Sequence, residues 1–200
     1  MTDPRGPAAT TGRRPHPART AVIGSLVLAV LVVALVIGLG THAGPAGKGL
    51  VVPLGSAAPS FVLPPLEGST PVDLDAVGRD AHRPVVLNFY ASWCSPCQKE
   101  TPLLAATATA ERARGAPVRF VGVDVNDPPA AARAFARRVG ITYPVGVDSS
   151  FRVSSGRYGL DGLPQTFFVS ASGTVLGHIV GAVDAAQLRS WLHRLTGSTA

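Results

Sequence analysis

Two cysteines separated by two residues are the side chains of this sequence best suited to chemistry. Cys94 and Cys97 are the only cysteines of the chain, and they follow a short apolar stretch at the predicted start of a helix. In that position their sulfurs can form a disulfide with modest strain. The free N–H groups and the dipole of a helix N-terminus favour a thiolate at Cys94. We therefore predict that Cys94 is the exposed attacking nucleophile, and that Cys97 faces inward and resolves the mixed disulfide.

Three other uses of a cysteine pair agree less well with the sequence. A structural disulfide between residues so close would remove little entropy from the unfolded chain. Covalent haem attachment needs a histidine directly after the second cysteine, where this chain has Gln98. A zinc site needs about four ligands, and the histidines show no paired spacing with the cysteines: His16, His42, His82, His178 and His193. The favoured interpretation is a redox-active disulfide with no further cofactor and no metal ion.

Short apolar runs alternate with helical patterns beyond Pro59, which predicts an α/β sheet covered by helices. Such a sheet would place the cysteines at the end of its first core strand. Strands are predicted at 61–63, 71–74, 85–90, 118–125, 142–147, 165–170 and 174–180. Helices are predicted at 75–80, 95–114, 129–139 and 184–195, with a helical turn at 149–158.

A run of 20 uncharged residues, 21–40, precedes this domain. As a helix rising about 1.5 Å per residue it would extend about 30 Å, which matches the hydrocarbon core of a bilayer. Four arginines and one aspartate come before it, a net charge of +3 out of +6 for the chain. Basic residues on that side predict a single-pass signal-anchor helix in the cell membrane, with a cytoplasmic N-terminus and an extracytoplasmic domain. A cleaved signal peptide is the alternative.

The remaining segments divide by composition. Residues 1–20 predict a disordered, basic cytoplasmic tail, residues 41–58 a flexible linker rich in Gly, Ala and Pro, and residues 59–197 one folded domain. The basic residues of the domain are scattered, and only Arg133, Arg137 and Arg138 lie close together. We interpret those three as a solvated helix face, so no nucleic-acid partner is expected.

Two motifs connect the chain to a known family. The string Trp93-Cys94-Ser95-Pro96-Cys97 after a hydrophobic strand resembles the thioredoxin superfamily. Its continuation, Lys99-Glu100-Thr101-Pro102, is similar to the membrane-anchored TlpA/ResA branch of thiol–disulfide oxidoreductases, which includes thioredoxins of cytochrome c maturation. The similarity covers about residues 57–196. It implies a thioredoxin-like fold, with a central mixed sheet flanked by helices, an N-terminal hairpin and an inserted helix and strand between Val125 and Gln165.

The resemblance also assigns roles to residues outside the cysteine pair. Pro164 matches the family's cis-proline, which lies against the disulfide, and the backbone of Leu163 beside it would be free to pair with an extended substrate strand. Glu100 matches a partly buried glutamate that exchanges a proton with a cysteine; the alternative is an ordinary surface carboxylate.

The residues around the cysteines have smaller predicted roles. Trp93 is expected to belong to both core and site, with its ring covering the sulfurs. The Ser95-Pro96 dipeptide is expected to tune the reduction potential. Asp124 and Asn126, at the end of the second core strand, are interpreted as loop-capping residues; the alternative is that they face the site.

An exported cysteine pair is oxidised by default, so a reductant of this family needs electrons from across the membrane. The resemblance therefore implies a thiol-transferring membrane partner that reduces Cys94 and Cys97. The leading hypothesis is a protein disulfide reductase of cytochrome c biogenesis, with oxidised apocytochrome c as substrate. The alternatives are an exported disulfide-forming oxidase and, from another class, a redox-inert binding module or peroxidase-like relative.

Overall fold

The computed structural model of the chain describes residues 51–197, and its elements alternate as the sequence predicts. They follow the order β1 (Val62–Leu63), β2 (Val72–Asp73), α1 (Leu74–Val77), β3 (Val85–Tyr90), α2 (Ser95–Ala113), β4 (Arg119–Val125), α3 (Pro129–Val139), β5 (Val145–Asp148), β6 (Gln165–Val169), β7 (Val175–Val180) and α4 (Ala185–Gly197).

A mixed five-stranded sheet forms the centre of the domain, with strand order β5-β4-β3-β6-β7. Strands β3, β4 and β5 are parallel, whereas β6 runs antiparallel to β3 and β7 antiparallel to β6. All six residues of β3 are buried, as expected of a central strand covered on both faces. The predicted thioredoxin-like sheet is confirmed, and β1 with β2 forms the predicted N-terminal hairpin, while α3 and β5 form the inserted helix and strand.

The two faces of the sheet pack differently. Leu87, Phe89 and Phe167 face a core shared with the hairpin and with Tyr158. On the opposite face there are two clusters. In one, apolar side chains of α2 and α4 cover part of the sheet. In the other, side chains of α3 pack around Tyr90 together with both cysteines. The cysteines therefore lie over the face that carries the alternate residues of β3, since neighbours along a strand point to opposite sides.

The predicted linker is wrong where the structure describes it, over residues 51–58. Val52 is buried in the core, Gly55 N donates to Val175 O at 2.8 Å, and Ala58 N donates to Gly173 O at 2.9 Å. These bonds run along the end of β7, which would otherwise present unpaired backbone groups at the edge of the sheet. The segment is therefore part of the domain.

The predicted membrane helix at 21–40, the tail at 1–20 and the first part of the linker lie outside the described residues. Within residues 51–197, no helix has both the length and the apolar character needed to cross a bilayer.

The segment after β5 differs from the predicted helical turn. Residues 149–158 form successive turns and no regular helix. One carboxylate oxygen of Asp148 organises them, because it accepts hydrogen bonds from the backbone of Val153 and Ser154 and from the Ser154 hydroxyl, at 2.7 to 3.1 Å. β5 also starts three residues later than predicted, at Val145.

Candidate active site

The cysteine pair lies where β3 leads into α2. Cys94 is the N-cap of the helix, and its Sγ accepts a hydrogen bond from Cys97 N at 3.2 Å. The two residues form a disulfide, with their Cα atoms 5.2 Å apart. The N–H of Cys97 therefore points at the sulfur, and it is the one backbone donor that the described first turn of α2 gives to a Cys94 thiolate, in addition to the helix dipole.

The two sulfurs are both shielded from solvent. Cys97 is completely buried, in agreement with its predicted inward position, but only 6% of Cys94 is exposed. The expectation of an exposed Cys94 is therefore wrong, because its side chain turns back against the first turn of α2 and is flanked by other groups. A substrate sulfur must reach Cys94 from one side.

That approach is provided by a groove of about 540 Å³ beside the disulfide. Residues 93–96 form one part of its wall, residues 160–163 another, and Val125, Phe151, Ser154 and Ser155 complete it. Ser95 and Pro96 are exposed on this wall, next to Cys94. The groove is large enough for a few residues of an extended peptide.

Trp93 lines the groove and does not belong to the core. It is 58% exposed, and its Nε1 donates to the carbonyl oxygen of Asn126 at 3.4 Å. The expectation that Trp93 is also a core residue is wrong, because the turn before α2 directs its ring outward. The ring can therefore contact a bound substrate.

The loop before β6 brings a cis peptide to the disulfide. The Leu163-Pro164 bond is cis, as expected from the resemblance. Leu163 is half-buried and packs against the cluster that contains both cysteines. Within the described residues, neither the N–H nor the C=O of Leu163 has a hydrogen-bond partner. This backbone is therefore available to an extended chain in the groove, which is the role predicted for it.

Glu100 is a buried carboxyl one turn after Cys97. Only 2% of it is exposed, which excludes the surface-carboxylate alternative and exceeds the partial burial that was expected. Its Oε1 accepts from Asn88 Nδ2 at 2.8 Å, and its Oε2 accepts from Val183 N at 2.7 Å. Burial raises the pKa of Glu100 to about 7, against the lowering effect of these two hydrogen bonds. The group can therefore gain or lose a proton near neutral pH.

Asn88 is a site residue that the sequence analysis missed. It is fully buried on β3, and its Nδ2 donates to Thr166 Oγ1 at 3.0 Å as well as to Glu100. A rotation of its carboxamide by half a turn would present Oδ1 to Glu100 in place of Nδ2. A protonated Glu100 could then donate a hydrogen bond to that oxygen. The signal was an asparagine among the apolar residues of β3, since a buried amide needs polar partners.

Asp124 is also misassigned by the sequence analysis. It does not cap a loop but lies on β4, in register with Tyr90 and fully buried. Asn126 does lie in the loop, in a left-handed conformation with φ of 51°. A second missed residue, Asp127, accepts hydrogen bonds from the backbone N and the hydroxyl of Ser92 at 2.5 and 2.7 Å.

No three His, Cys, Asp or Glu side chains within residues 51–197 are grouped so that they could hold a metal ion. The chemistry that the described groups offer is disulfide exchange at the cysteine pair, beside buried carboxyl groups that can hold protons.

Comparison with known proteins agrees with this site. Residues 54–178 match the AhpC/TSA family, which is more than half of the chain. The chain belongs to this thioredoxin-like family. It is similar to the thiol–disulfide oxidoreductase ResA of Bacillus thuringiensis, with 31% identity over 72% of this chain and 79% of that protein. ResA of Geobacillus thermodenitrificans is 31% identical over 87% of this chain and 95% of its own.

Solved structures of thiol–disulfide oxidoreductases share the fold. A putative thiol:disulfide interchange protein DsbE from Chlorobium tepidum superposes with a TM-score of 0.63 at 27% identity, covering 72% of this chain and 99% of its own. A secreted disulfide oxidoreductase of Mycobacterium tuberculosis gives a TM-score of 0.58 at 25% identity, over 68% and 96% of the two chains. The chain is therefore a thiol–disulfide oxidoreductase of ResA/DsbE type, and its Cys94 and Cys97 form a disulfide at the start of α2.

Proposed function

We propose that this oxidoreductase is an extracytoplasmic protein disulfide reductase, held at the cell membrane by residues 21–40, that acts in cytochrome c biogenesis. Its substrates are oxidised cysteine pairs of apocytochrome c. A thiol-transferring membrane protein returns the Cys94-Cys97 disulfide to the dithiol after each turnover.

The electrostatic surroundings of Cys94 carry the proposed direction of electron flow. A strongly oxidising pair needs a well stabilised thiolate, because this stabilises the reduced form. Here Cys94 Sγ receives one backbone N–H, from Cys97, and Pro96 removes another donor from the first turn. The described groove wall contains Asp161 but no Lys, Arg or His. A thiolate with this little support leaves the disulfide as the favoured form, which is the property of a reductant.

The exchange reaction uses the two cysteines in turn. The Cys94 thiolate attacks one sulfur of the substrate disulfide, whose S–S bond breaks, and the other substrate sulfur leaves as a thiolate and takes a proton. Cys97 then gives its proton to the Glu100 carboxylate and attacks Cys94 Sγ, which releases the second substrate thiolate. Two electrons have passed to the substrate, and the Cys94-Cys97 disulfide remains.

The groove supplies the binding part of this reaction. An extended substrate strand can pair with the free backbone groups of Leu163 and so present its cysteine to Cys94. Trp93 and Phe151, 58% and 42% exposed, add apolar contact area for the residues beside that cysteine.

The membrane location is supported by the uncharged run at 21–40 with its basic flank. The match to ResA of Geobacillus thermodenitrificans, over 174 residues, is also longer than the domain. An anchor would keep the domain close to a membrane reductant.

The reduction potential of the full-length protein tests the direction. We expect a value close to that of thioredoxin, which is about −270 mV. Equilibration with defined ratios of reduced and oxidised dithiothreitol measures it. A value near the about −120 mV of strong exported oxidants would overturn the reductase proposal in favour of the oxidase.

Trapping tests the substrate and the location. Cys97→Ala should accumulate a mixed disulfide between Cys94 and an apocytochrome c peptide, and Cys94→Ser, the control, should not. Equal trapping of unrelated disulfide peptides would contradict the apocytochrome preference.

In intact cells, a membrane-impermeant maleimide should label Cys94 of the Cys97→Ala variant without lysis. Labelling only after lysis would contradict the extracytoplasmic location.

A further inference from the structure

Two carboxyl groups other than Glu100, those of Asp124 and Asp127, lie close enough to interact with each other. Both are near the turn that precedes Cys94. Asp124 is fully buried on β4, and Asp127, in the loop that follows, is 7% exposed. Neither matches a residue to which the family resemblance gave a role. Both lie next to the end of β3, because Tyr90 pairs with Asp124 and Ser92 binds Asp127.

Asp127 fixes the turn that carries Cys94. Its two carboxylate oxygens accept the backbone N–H and the hydroxyl of Ser92. The Ser92 carbonyl in turn accepts from Gln98 Nε2 on α2 at 2.6 Å. The chain just before Cys94 is therefore held from the β4–α3 loop and from the helix at once.

Asp124 has no comparable donor. Within the described residues, neither of its oxygens accepts a hydrogen bond, although both are buried. A buried carboxylate without a donor is strongly disfavoured, so such a group takes up a proton instead. Together, burial and the neighbouring Asp127 raise the pKa of Asp124 to about 8: burial is the largest cause, followed by the hydrogen bond that a protonated Asp124 can share with Asp127 and by the charge of Asp127.

Among residues 51–197, the other groups around Asp124 do not provide a positive charge. Burial raises the pKa of Tyr90 on β3, and the nearby Tyr143, Asp124 and Asp127 raise it further. Burial and the charge of Glu100 on α2 likewise raise the pKa of Tyr143, which lies before β5. The hydroxyls of Tyr90 and Tyr143 are buried without a hydrogen-bond partner in the described part of the chain. The side of α3 that packs here is apolar, with Ala132, Phe135 and Ala136.

We propose that Asp124 and Asp127 share a single proton, and that Asp124 is thereby a positioning residue that keeps Asp127 bound to Ser92 and fixes the turn before Cys94. Two carboxyl groups can lie side by side only when one of them is protonated. In that state the pair has one negative charge, on Asp127, where the two Ser92 donors stabilise it. Loss of the proton adds a second negative charge, drives the two groups apart and disfavours a thiolate at Cys94. This inference rests on the disulfide exchange of the family and not on the proposed direction of electron flow.

Asp124→Asn in the full-length protein tests the proposal. The amide keeps the volume and still donates to Asp127, but it cannot ionise. In the wild type, the exchange rate should rise with pH and then level off above about pH 8, as the pair ionises. In Asp124→Asn the rate should continue to follow ionisation of Cys94, so the ratio of rates at pH 9 and pH 7 should exceed the wild-type ratio by about threefold or more, because a neighbouring charge shifts a thiol pKa by roughly half a unit or more.

Glu111→Gln is the matched control, since it removes another buried carboxyl near the far end of α2. It should keep the wild-type pH profile. A purely structural role of Asp124 would lower the rate by the same factor at every pH, and that result would overturn the proposal. Loss of exchange in every variant, with Cys94→Ser as the blank, would instead contradict the family activity.

Infrared spectroscopy of the oxidised full-length protein gives a readout that does not depend on activity. Within the described residues, Glu100→Gln removes the other buried carboxyl of raised pKa. In that background we expect the carbonyl band of one protonated carboxylic acid, which disappears as the pH rises through about 8 and is absent when Asp124→Asn is added. Absence of the band at pH 7 in Glu100→Gln would show that Asp124 is ionised, and would overturn the proposal even if Asp124→Asn failed to fold.

Discussion

At the scale of single residues, the site depends on polar side chains buried on one face of the sheet. Asn88 and Tyr90 alternate along β3, and their partners in register are Thr166 on β6 and Asp124 on β4. Glu100 meets this polar stripe from α2 through its bond to Asn88. Buried polar groups need partners, so each of these side chains restricts its neighbours, and the proton of Glu100 is tied to the stability of the fold.

Glu100→Gln should change the pH dependence of stability. The folded protein holds the Glu100 proton more tightly than the unfolded chain, with a pKa of about 7 against an ordinary 4.5. The resulting stabilisation is complete below pH 4.5 and is lost as the pH rises through 7. We expect the loss of unfolding free energy between pH 5 and pH 8 to be smaller in the variant by about 2–3 kcal/mol.

Chemical denaturation of the oxidised protein measures this difference without interference from the thiols. Glu111→Gln, on the same helix, is the control and should keep the wild-type pH dependence. If Glu100→Gln also kept it, the carboxyl would not change its protonation in this range and would be unsuited to proton exchange with Cys97.

At the scale of elements, the substrate groove is built from loops that each depend on one anchor. The cysteines are fixed by the N-terminus of α2, and the turn before them by Asp127. The wall formed by Phe151, Ser154 and Ser155 depends on Asp148, at the end of β5. Phe151 has a φ of 57°, which is unusual for a residue other than glycine, and the turns that Asp148 organises hold it in that conformation.

Asp148→Ala should therefore damage substrate binding more than chemistry. It leaves two backbone N–H groups and the Ser154 hydroxyl without their acceptor, which should cost about 2–4 kcal/mol of unfolding free energy. The KM for a disulfide peptide should rise severalfold, with a smaller change in kcat, since the cysteines lie on another element.

Asp148→Asn keeps one acceptor oxygen and should have a weaker effect on both quantities. Peptide reduction kinetics with denaturation of the same samples checks this. A loss of stability with an unchanged KM would show that these turns do not form part of the substrate site.

At the scale of the whole molecule, the folded domain begins earlier than its motifs suggest. Residues 51–58 cover the end of β7 and place Val52 in the core. These residues are therefore expected to contribute to the stability of the domain.

Two truncated chains test whether residues 51–58 stabilise the domain. A chain that begins at Lys48 keeps this segment, whereas one that begins at Pro59 loses the burial of Val52 and the hydrogen bonds to β7. The shorter chain should be less stable by about 2–4 kcal/mol, mostly from lost apolar burial, with a lower denaturation midpoint. Both should keep the reduction potential of the full-length protein. Equal stability of the two would mean that residues 51–58 do not unfold with the domain.

Local patterns in the sequence were sufficient for the elements and for the redox pair. β3 and α3 occur at their predicted bounds, since a continuous apolar run and a helical period are properties of adjacent residues. The spacing of Cys94 and Cys97 at a helix start determines that they can join, and the resemblance led to the cis peptide before Pro164.

Only the tertiary structure decided which polar groups meet behind the disulfide. Glu100 bonds to Val183, 83 residues away, and Asp127 bonds to Ser92, 35 residues away. No periodicity encodes such pairs, because they depend on which strand lies beside which and on the helix above them. The same is true of burial: Glu100 is more buried, Cys94 less exposed and Trp93 more exposed than the local sequence indicated. The sequence thus determined which residues exchange the disulfide, and the packing of distant segments decided where their protons can be held.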